Sequence, residues 1–220
     1  MIAEQARTAV TRDGGDVIVM FARAPELGRV KTRLAEEIGD AAALVAYLEL
    51  GRTCWSNALA ARGAMGGRAL VAYTPDDGGD SVRAWLSGAD AYMAQRDGDL
   101  GVRMLSALTA VLSGGALRVV VIGSDCPTLS ARVLTDACVA LHTADVVIGP
   151  ATDGGYYLIG MSRAHDVLFA DVPWSSPLTL GVTLDRAQAA GLRVALLQPL
   201  SDVDTADDWY AWKREPSQGV

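Results

Sequence analysis

The 220-residue sequence lacks a hydrophobic run long enough to cross a membrane. Its apolar stretches, among them residues 117–123 with Arg118 inside, are far shorter than the roughly 20 residues that a membrane-spanning helix needs. The first 15 residues carry charged side chains where a signal peptide would have a continuous apolar core. We therefore expect neither a membrane span nor export.

Cysteine and histidine are also scarce, with three cysteines and two histidines in the chain. Cys54, Cys126 and Cys138 are widely spaced and odd in number, which matches neither a disulfide framework nor a zinc site. We therefore expect a protein of the reducing cytoplasm. Neither His142 nor His165 is placed by sequence to activate Cys126, so Cys126 is predicted to be a packed side chain and not a nucleophile.

Positive charge is in deficit, because 19 Lys and Arg residues face 26 Asp and Glu residues and leave a net charge of −7. Without a basic run, the sequence gives no indication of a nucleic-acid-binding surface. A local cationic pocket for a phosphate is still compatible with an acidic protein. We expect small-molecule partners and no nucleic acid.

What the sequence does contain is an alternation of apolar runs and helical segments. Five short runs rich in β-branched residues predict buried strands, at 16–22, 68–73, 117–123, 145–149 and 193–197. Helices are predicted at 31–61 with a break near Gly39, shortly after Ser81, and at 101–112, 130–142, 178–190 and 205–214. This order predicts a three-layer α/β/α, doubly wound fold with a mainly parallel sheet. We expect one domain over residues 16–214, with tails at 1–15 and 215–220.

Residues with a preference for helix ends mark several of these boundaries. Ser130, and either Asp204 or Thr205, are predicted N-caps, and Gly191 is predicted to end its helix. Ligands of doubly wound folds bind at the carboxyl ends of the strands. The residues that carry chemistry are therefore expected just after strands.

The segment after the first strand, residues 21–34, concentrates positive charge in a loop that leads into a helix. Its four cations are Arg23, Arg29, Lys31 and Arg33. Gly28 permits close approach of backbone to a ligand, and Arg23 and Lys31 are placed to supply charge to phosphate oxygens. The glycines of a P-loop and of a dinucleotide-binding fingerprint are missing. The pattern predicts an anion site, with a solvated basic helix start as the alternative.

Asp125 directly follows the most apolar strand, in the segment 123–129. A carboxylate at the end of a buried strand is costly unless it binds a metal, a cation or an N–H group. Asp125 is therefore a candidate ligand residue. The alternative is that it caps the turn before Pro127.

A glycine pair follows the next buried strand, within residues 149–160. The segment contains Asp153, Gly154, Gly155, Tyr156 and Tyr157. Its position after a strand predicts the rim of a pocket, with tyrosine rings and hydroxyls offered to a ligand. A hairpin turn is the alternative.

The last polar segment, residues 201–209, follows the final core strand and is strongly acidic. Asp207 and Asp208 fit the first turn of a helix, where the helix dipole favours negative charge. Asp202 and Asp204 lie before that turn and are candidates for binding a ligand. The alternative is an acidic cluster that only caps the helix.

Six motifs in this order resemble a single family. They are Arg-x-Pro-x-x-Gly-x-x-Lys-Thr-Arg-Leu (23–34), Gln-Arg-Asp-Gly-Asp-Leu-Gly-x-Arg-Met (95–104), Gly-x-Asp-x-Pro-Thr-Leu (123–129), Gly-Pro-Ala-x-Asp-Gly-Gly-Tyr-Tyr-Leu-Ile-Gly (149–160), Trp174-Ser-Ser and Asp-Val-Asp-Thr-x-x-Asp (202–208). Together they look like the bacterial DUF2064-type glycosyltransferase group of the GT-A nucleotide-diphospho-sugar transferase superfamily. They are more distantly similar to the guanylyltransferases of coenzyme F420 and molybdenum cofactor synthesis. The resemblance runs from Val17 to about Trp209 and implies a GT-A-like fold.

The resemblance also implies roles for individual residues. Asp125 and Asp204, with Asp202 as the alternative, match the acidic residues that hold a divalent metal in that superfamily, and such oxygen ligands suit Mg²⁺ or Mn²⁺. The implied nucleotide-binding residues are Arg23, Gly28, Lys31, Asp99, Arg103 and Asp125. The implied acceptor or sugar pocket comprises Gly154, Gly155, Tyr156, Trp174 and Ser175. Lys31 and Asp153 are the candidate catalytic residues.

Two transferase activities and one silent alternative follow from these motifs. The family label favours transfer of a sugar from a nucleoside diphosphate sugar to a small acceptor. The cationic first loop, and Asp125-Cys126-Pro127 where many glycosyltransferases of this fold have Asp-x-Asp, favour nucleotidyl transfer from a nucleoside triphosphate. A catalytically silent nucleotide-binding module would have lost its acidic residues, and both Asp125 and Asp204 are present.

Overall fold

A seven-stranded sheet forms the centre of the structure, a computed structural model that describes residues 14–214. The strands are β1 (Asp16–Arg23), β2 (Arg68–Thr74), β3 (Ala91–Ala94), β4 (Arg118–Ile122), β5 (Val146–Pro150), β6 (Tyr156–Met161) and β7 (Val194–Leu196). The helices are α1 (Thr32–Ile38), α2 (Asp40–Met65), α3 (Gly79–Trp85), α4 (Leu100–Ser113), α5 (Ala131–Ala140), α6 (Thr179–Ala189) and α7 (Ala206–Arg214). The predicted tails, residues 1–15 and 215–220, fall outside the described residues except for Gly14 and Gly15.

The strand order is β3-β2-β1-β4-β6-β5-β7. Neighbours pair in parallel except on the two sides of β6, which is antiparallel to both β4 and β5. The sheet is therefore mainly parallel, as predicted. The six strands other than β6 run in the same direction, so their carboxyl ends lie at one edge of the sheet. The loops that follow these strands begin at that edge.

The five predicted strands are confirmed to within one or two residues at each end, but β3 and β6 were not predicted. β3 is a four-residue edge strand whose Ala-Tyr-Met-Ala sequence has no run of β-branched residues. β6 has an apolar strand sequence, but it follows directly on the glycine pair and was assigned to a ligand loop. It forms an antiparallel hairpin with β5, which is the alternative that the sequence left open.

Side chains of the strands alternate between two apolar layers, one on each face of the sheet. In β1, Ile18 and Met20 join the layer covered by α2 and α5, whereas Val17 and Val19 join the layer covered by α4 and α6. This arrangement confirms the predicted three layers. Cys126 is 1% exposed, as expected for a packed side chain.

Local signals set several helix ends as predicted. Gly39, at φ 84°, separates α1 from α2, which is the break expected near that residue. The Ser130 hydroxyl accepts a hydrogen bond from the Val133 N–H at the start of α5, and Gly191 takes up φ 67° after α6. Among the helices of residues 14–214, none is both long enough and apolar enough to cross a bilayer.

Candidate functional site

The loops after β4, β5 and β7 are joined by backbone hydrogen bonds at the carboxyl edge of the sheet. The Val203 N–H donates to the Asp125 carbonyl at 3.0 Å, and the Thr152 N–H donates to the Leu200 carbonyl at 3.0 Å. The acidic segment around Asp204 is therefore held against the Asp125 loop. This contact brings two of the sequence-predicted acidic segments together.

Lys31 lies between the two predicted metal ligands. Its Nζ donates to Asp125 Oδ2 at 2.8 Å and to Asp204 Oδ1 at 2.6 Å. The Lys31 side chain is only 6% exposed, while those of Asp125 and Asp204 are 34% and 43% exposed. Burial acts to lower the pKa of Lys31, but the two carboxylates outweigh it and raise that pKa above its ordinary value. The side chain is therefore a fixed ammonium ion.

The backbone around Lys31 is bent to bring this side chain inward. Lys31 has φ 47° and ψ 50°, in the left-handed region, and it precedes α1 without a side-chain cap. A non-glycine residue in that region costs about 1 kcal/mol or more. The two ion pairs offset this cost, because they hold the lysine where its ammonium meets both carboxylates.

The start of α7 leaves Asp204 free for this contact. Asp208 Oδ2 accepts a hydrogen bond from the Thr205 N–H at 2.9 Å, and the Asp208 N–H donates to Thr205 Oγ1 at 3.3 Å. This reciprocal pair is a capping box, so Thr205 is the N-cap and not Asp204. The predicted choice between the two residues is thereby decided.

Asp202 is the third carboxylate of this cluster. Its Oδ1 atom is buried and has no hydrogen-bond partner among the described residues. Burial, followed by the charges of Asp125, Asp204 and Asp153, raises the pKa of Asp202 to about 7, although Lys31 opposes the shift. Three carboxyl groups thus lie close to the Lys31 ammonium ion, which binds two of them.

A cavity of about 350 Å³ opens beside the Lys31 pairs. It is lined by Arg23, Arg29, Val30, Lys31, Thr32, Arg33, Tyr47, Ser124, Asp125 and Asp204. All four cations of the first loop are in this set, so the segment predicted to form an anion site lines a concavity. Gly28 lies in the turn before it with φ 72°, where a side chain would be strained.

The four cations are not equivalent. The Arg29 guanidinium pairs with Glu26 at 3.2 Å and its side chain is 65% exposed. The Arg33 side chain is 76% exposed and approaches Asp204 Oδ2 only to 4.0 Å. Lys31, in contrast, is buried and is held by its ion pairs with Asp125 and Asp204. The exposed Arg29 and Arg33 can exchange partners at little cost in free energy.

Tyr47 is a lining residue that the sequence did not reveal. Its hydroxyl accepts a hydrogen bond from the Arg23 N–H at 2.9 Å and donates to the Arg23 carbonyl at 3.0 Å. Its ring lies 4.8 Å from that of Trp85 in the core. Tyr47 looked like one more core position of a long helix, and nothing in the local pattern marked it as a contact to the end of β1.

The segment with the glycine pair forms a tight turn. Gly154 has φ 91°, and a Cβ there would lie 2.3 Å from the Pro177 carbonyl oxygen. Asp153 Oδ1 accepts a hydrogen bond from the Gly155 N–H at 2.8 Å, which stabilises the turn and leaves Asp153 exposed. Asp153 is not among the residues that line the described cavity, although its charge contributes to the raised pKa of Asp202.

The two tyrosines after this turn, predicted to face a ligand, are not among the residues that line the described cavity. They begin β6, so their side chains enter opposite faces of the sheet. The Tyr157 hydroxyl donates to the Gln198 carbonyl at 3.0 Å, and the Tyr156 hydroxyl is buried. Tyr156 packs edge-on against Trp174 with ring centroids 6.3 Å apart.

A second group of predicted site residues gathers around the start of α4. Asp99 Oδ1 accepts from the Val102 N–H as the N-cap, and the Arg103 guanidinium donates to the Gly98 carbonyl at 2.8 Å. Trp174 covers the first turn of this helix, since a Cβ at Gly101 would lie 2.5 Å from its ring. Ser175, after Trp174, has φ 57°. None of these residues is among those that line the described cavity.

The carboxylates fit a divalent metal, although Lys31 now lies between them. Oδ2 of Asp125 and Oδ1 of Asp204 converge on one point, and Asp202 Oδ1 lacks a partner. Such hard oxygen donors are those that Mg²⁺ and Mn²⁺ prefer. Within residues 14–214 no three Asp, Glu, His or Cys side chains form a ready metal cluster. Asp125 and Asp204 are the residues that would hold such a metal.

Comparisons with known proteins agree with this fold. Residues 58–176 match the profile of a family described as uncharacterized proteins conserved in bacteria (DUF2064). A proposed nucleotide-diphospho-sugar transferase from Desulfovibrio desulfuricans G20 is 31% identical, with a TM-score of 0.85 over 93% of this chain and 88% of that one. A search of curated proteins gave no significant match.

Two further solved structures share the fold at low identity. A CMP-2-keto-3-deoxy-manno-octonic acid synthetase in complex with CTP is 15% identical, with a TM-score of 0.59 over 92% of this chain and all (100%) of that one. The manganese complex of Rv0371c from Mycobacterium tuberculosis H37Rv is 16% identical, with a TM-score of 0.55 over 93% and 100%. The predicted nucleotide-diphospho-sugar transferase-like fold is confirmed, and the expected transferase class is the one named for the protein from Desulfovibrio desulfuricans G20.

Proposed function

Because the chain belongs to the DUF2064 family of bacterial proteins and has a nucleotide-diphospho-sugar transferase-like fold, we propose that it is a metal-dependent glycosyltransferase. It moves a sugar from a nucleoside diphosphate sugar to a hydroxyl group of a small acceptor. The observation that carries this proposal is the cationic cavity in which Lys31 and two carboxylates meet at the carboxyl ends of the strands.

The reaction breaks the bond between the sugar's anomeric carbon and the diphosphate oxygen. The acceptor oxygen forms the new bond to that carbon, its proton passes to a base, and the nucleoside diphosphate leaves with the bonding electrons. Negative charge grows on the leaving oxygens, so catalysis depends on positioning and on cationic stabilisation.

The residues of the cavity have matching roles. Asp125 and Asp204 would hold Mg²⁺ or Mn²⁺, and the bound ion would supply positive charge to neutralise the diphosphate. Arg23 and Lys31 bind phosphate oxygens, and the fixed positive charge of an arginine suits this task. Asp153, exposed at the turn beside the acidic cluster, faces the acceptor and receives its proton.

The same site supports nucleotidyl transfer as a second candidate. In that reaction a phosphorylated metabolite attacks the α-phosphate of a nucleoside triphosphate and pyrophosphate leaves. The specific observation in its favour is that four cations line one cavity of about 350 Å³, which suits the larger charge of a triphosphate. We propose that residues 16–214 act as one cytoplasmic domain in either case, in keeping with the three buried, unpaired cysteines.

The identity of the released product decides between the two reactions. The protein is incubated with Mn²⁺ and either a panel of nucleoside diphosphate sugars or the four nucleoside triphosphates, each with a pool of small metabolites. Release of nucleoside diphosphate from a sugar donor supports the glycosyltransferase. Release of pyrophosphate without nucleoside diphosphate would overturn it in favour of the nucleotidyltransferase, and release of neither would reject both.

A further inference from the structure

The Lys31 ammonium binds one oxygen of each of the two carboxylates that the proposed metal would use. Nζ lies 2.8 Å from Asp125 Oδ2 and 2.6 Å from Asp204 Oδ1. A Mg²⁺ ion ligated by these oxygens would lie about 2.0–2.1 Å from each. An ammonium in its present place would then be in direct contact with the ion and repelled by it.

We propose that Lys31 and the divalent metal exclude each other from Asp125 and Asp204, so that metal loading releases Lys31 into the cavity. This inference rests on the proposed function, because it takes these two carboxylates as the metal ligands. The released ammonium is then free to meet the phosphates of the donor. Lys31 is thus the internal cation of the metal-free site and a phosphate ligand of the loaded one.

The surroundings of Lys31 allow such a movement. Its Nζ makes both of its hydrogen bonds to the two carboxylates that the metal would take. Lys31 itself lines the cavity of about 350 Å³, which has room for a displaced side chain. The cluster also needs a cation in the metal-free state, because two carboxylates share the Lys31 ammonium and the buried Asp202 Oδ1 has no hydrogen-bond partner among the described residues.

The composition of the chain offers a direct test, because Lys31 and Lys213 are its two lysines. Lys213 lies on α7, where it pairs with Glu49 and has a side chain 46% exposed. It serves as an internal reference for acetylation of amines, read at each site by mass spectrometry. Without metal, we expect Lys31 to react roughly tenfold more slowly than Lys213, since its side chain is 6% exposed and its Nζ is held by two carboxylates.

Mn²⁺ alone, without nucleotide, is then added at a concentration shown by calorimetry to saturate the wild-type protein. We expect the rate at Lys31 to rise about fivefold or more, with no change at Lys213. A Lys31 rate that stays constant at saturation would overturn the proposal, and so would a failure of Mn²⁺ to bind at all.

A pair of variants provides a second, independent measurement. Lys31→Met removes the competing ammonium, whereas Arg29→Met removes an equal charge from the cavity lining without touching either carboxylate. By calorimetry with Mn²⁺ alone, Lys31→Met should bind about tenfold more tightly than wild type, and Arg29→Met within about twofold to threefold of it. Equal affinities in the two variants would contradict direct competition. If Lys31→Met does not fold, the labelling of the wild-type protein still decides.

Failure of this inference is distinguishable from failure of the proposed function. Both measurements use the metal without a donor, whereas the proposed function is judged by the released product. Metal-induced labelling with no product would leave the exclusion intact and reject the transferase. Product release with constant Lys31 labelling would support the transferase and reject the exclusion of Lys31 by the metal.

Discussion

Charged side chains are paired differently at the two ends of the sheet. At the amino ends of the strands, Asp16 pairs with Arg118 across β1 and β4, and Asp145 pairs with Arg193 before β5 and β7. Each carboxylate there has its own guanidinium group. At the carboxyl ends, Lys31 is shared by two carboxylates, with a third nearby.

We interpret this difference as one between residues that stabilise the fold and residues that bind a ligand. A matched pair satisfies both partners in the folded protein, and the Arg193 guanidinium and backbone N–H together make three hydrogen bonds to the Asp145 carboxylate. At the carboxyl end one ammonium ion is shared by two carboxylates, and Asp202 Oδ1 has no hydrogen-bond partner among the described residues, which costs stability unless a further cation binds. Substitutions at the two ends should therefore have opposite consequences for stability and for activity.

The largest effect is expected from removing the charge of the proposed metal ligands. Asp125→Asn and Asp204→Asn each leave an oxygen for the Lys31 ammonium, but each weakens the binding of a divalent ion. We expect turnover to fall by about 100-fold or more while the thermal midpoint is maintained or raised. Steady-state assays measure turnover, and thermal unfolding measures the midpoint. A large loss of stability would show that these carboxylates stabilise the fold and do not serve mainly to bind a metal.

A smaller effect is expected at the turn that borders the acidic cluster. Asp153→Asn keeps an oxygen for the Gly155 N–H, so the hairpin should remain folded. If Asp153 receives the acceptor's proton, turnover should fall by roughly 100-fold or less, with the affinity for nucleoside diphosphate unchanged. Calorimetry with the diphosphate and a turnover assay test this. Equal losses in binding and turnover would assign Asp153 to the donor.

Much of this architecture follows from local sequence signals. Runs of β-branched residues sufficed for five strands, and Gly39 and Gly191 set helix boundaries through their backbone freedom. β6 could not be predicted from the local sequence, because a glycine pair before an apolar run is compatible with both a ligand loop and a hairpin. Its antiparallel insertion between β4 and β5 depends on pairing that no single segment encodes.

The candidate site was predictable as a set of residues but not as a geometry. Asp125, Asp204 and Lys31 were each identified from their positions after strands. Lys31 is separated by 94 positions from Asp125 and by 173 positions from Asp204 along the chain, so only the packed fold brings these side chains into contact. Tyr156 and Trp174 were expected at a pocket, whereas their aromatic rings pack together over the α4 side of the sheet.

A still smaller effect on activity is expected from Tyr47→Phe. The ring stays packed against Trp85, but the two hydrogen bonds to the Arg23 backbone are lost. We expect the affinity for the nucleotide donor to fall by roughly fivefold, since a net hydrogen bond is worth about 1 kcal/mol. Tyr92→Phe is the matched control, because its hydroxyl donates to the Leu86 carbonyl, outside the cavity lining. If both variants bind the donor like wild type, Tyr47 has no part in the site.

The smallest effect on activity is expected at the amino end of the sheet. Arg118→Met removes the partner of Asp16 from a pair whose side chains are 21% and 14% exposed. Leaving a largely buried carboxylate unpaired should lower the free energy of unfolding by about 1–2 kcal/mol, with turnover unchanged. Arg132→Met is the control, because its pair with Asp136 lies on the surface of α5 with Arg132 90% exposed, and it should change neither quantity measurably. Denaturant unfolding and the turnover assay measure both. A loss of turnover in folded Arg118→Met would break the division between the two ends, because the amino end would then reach the site through β1 and β4.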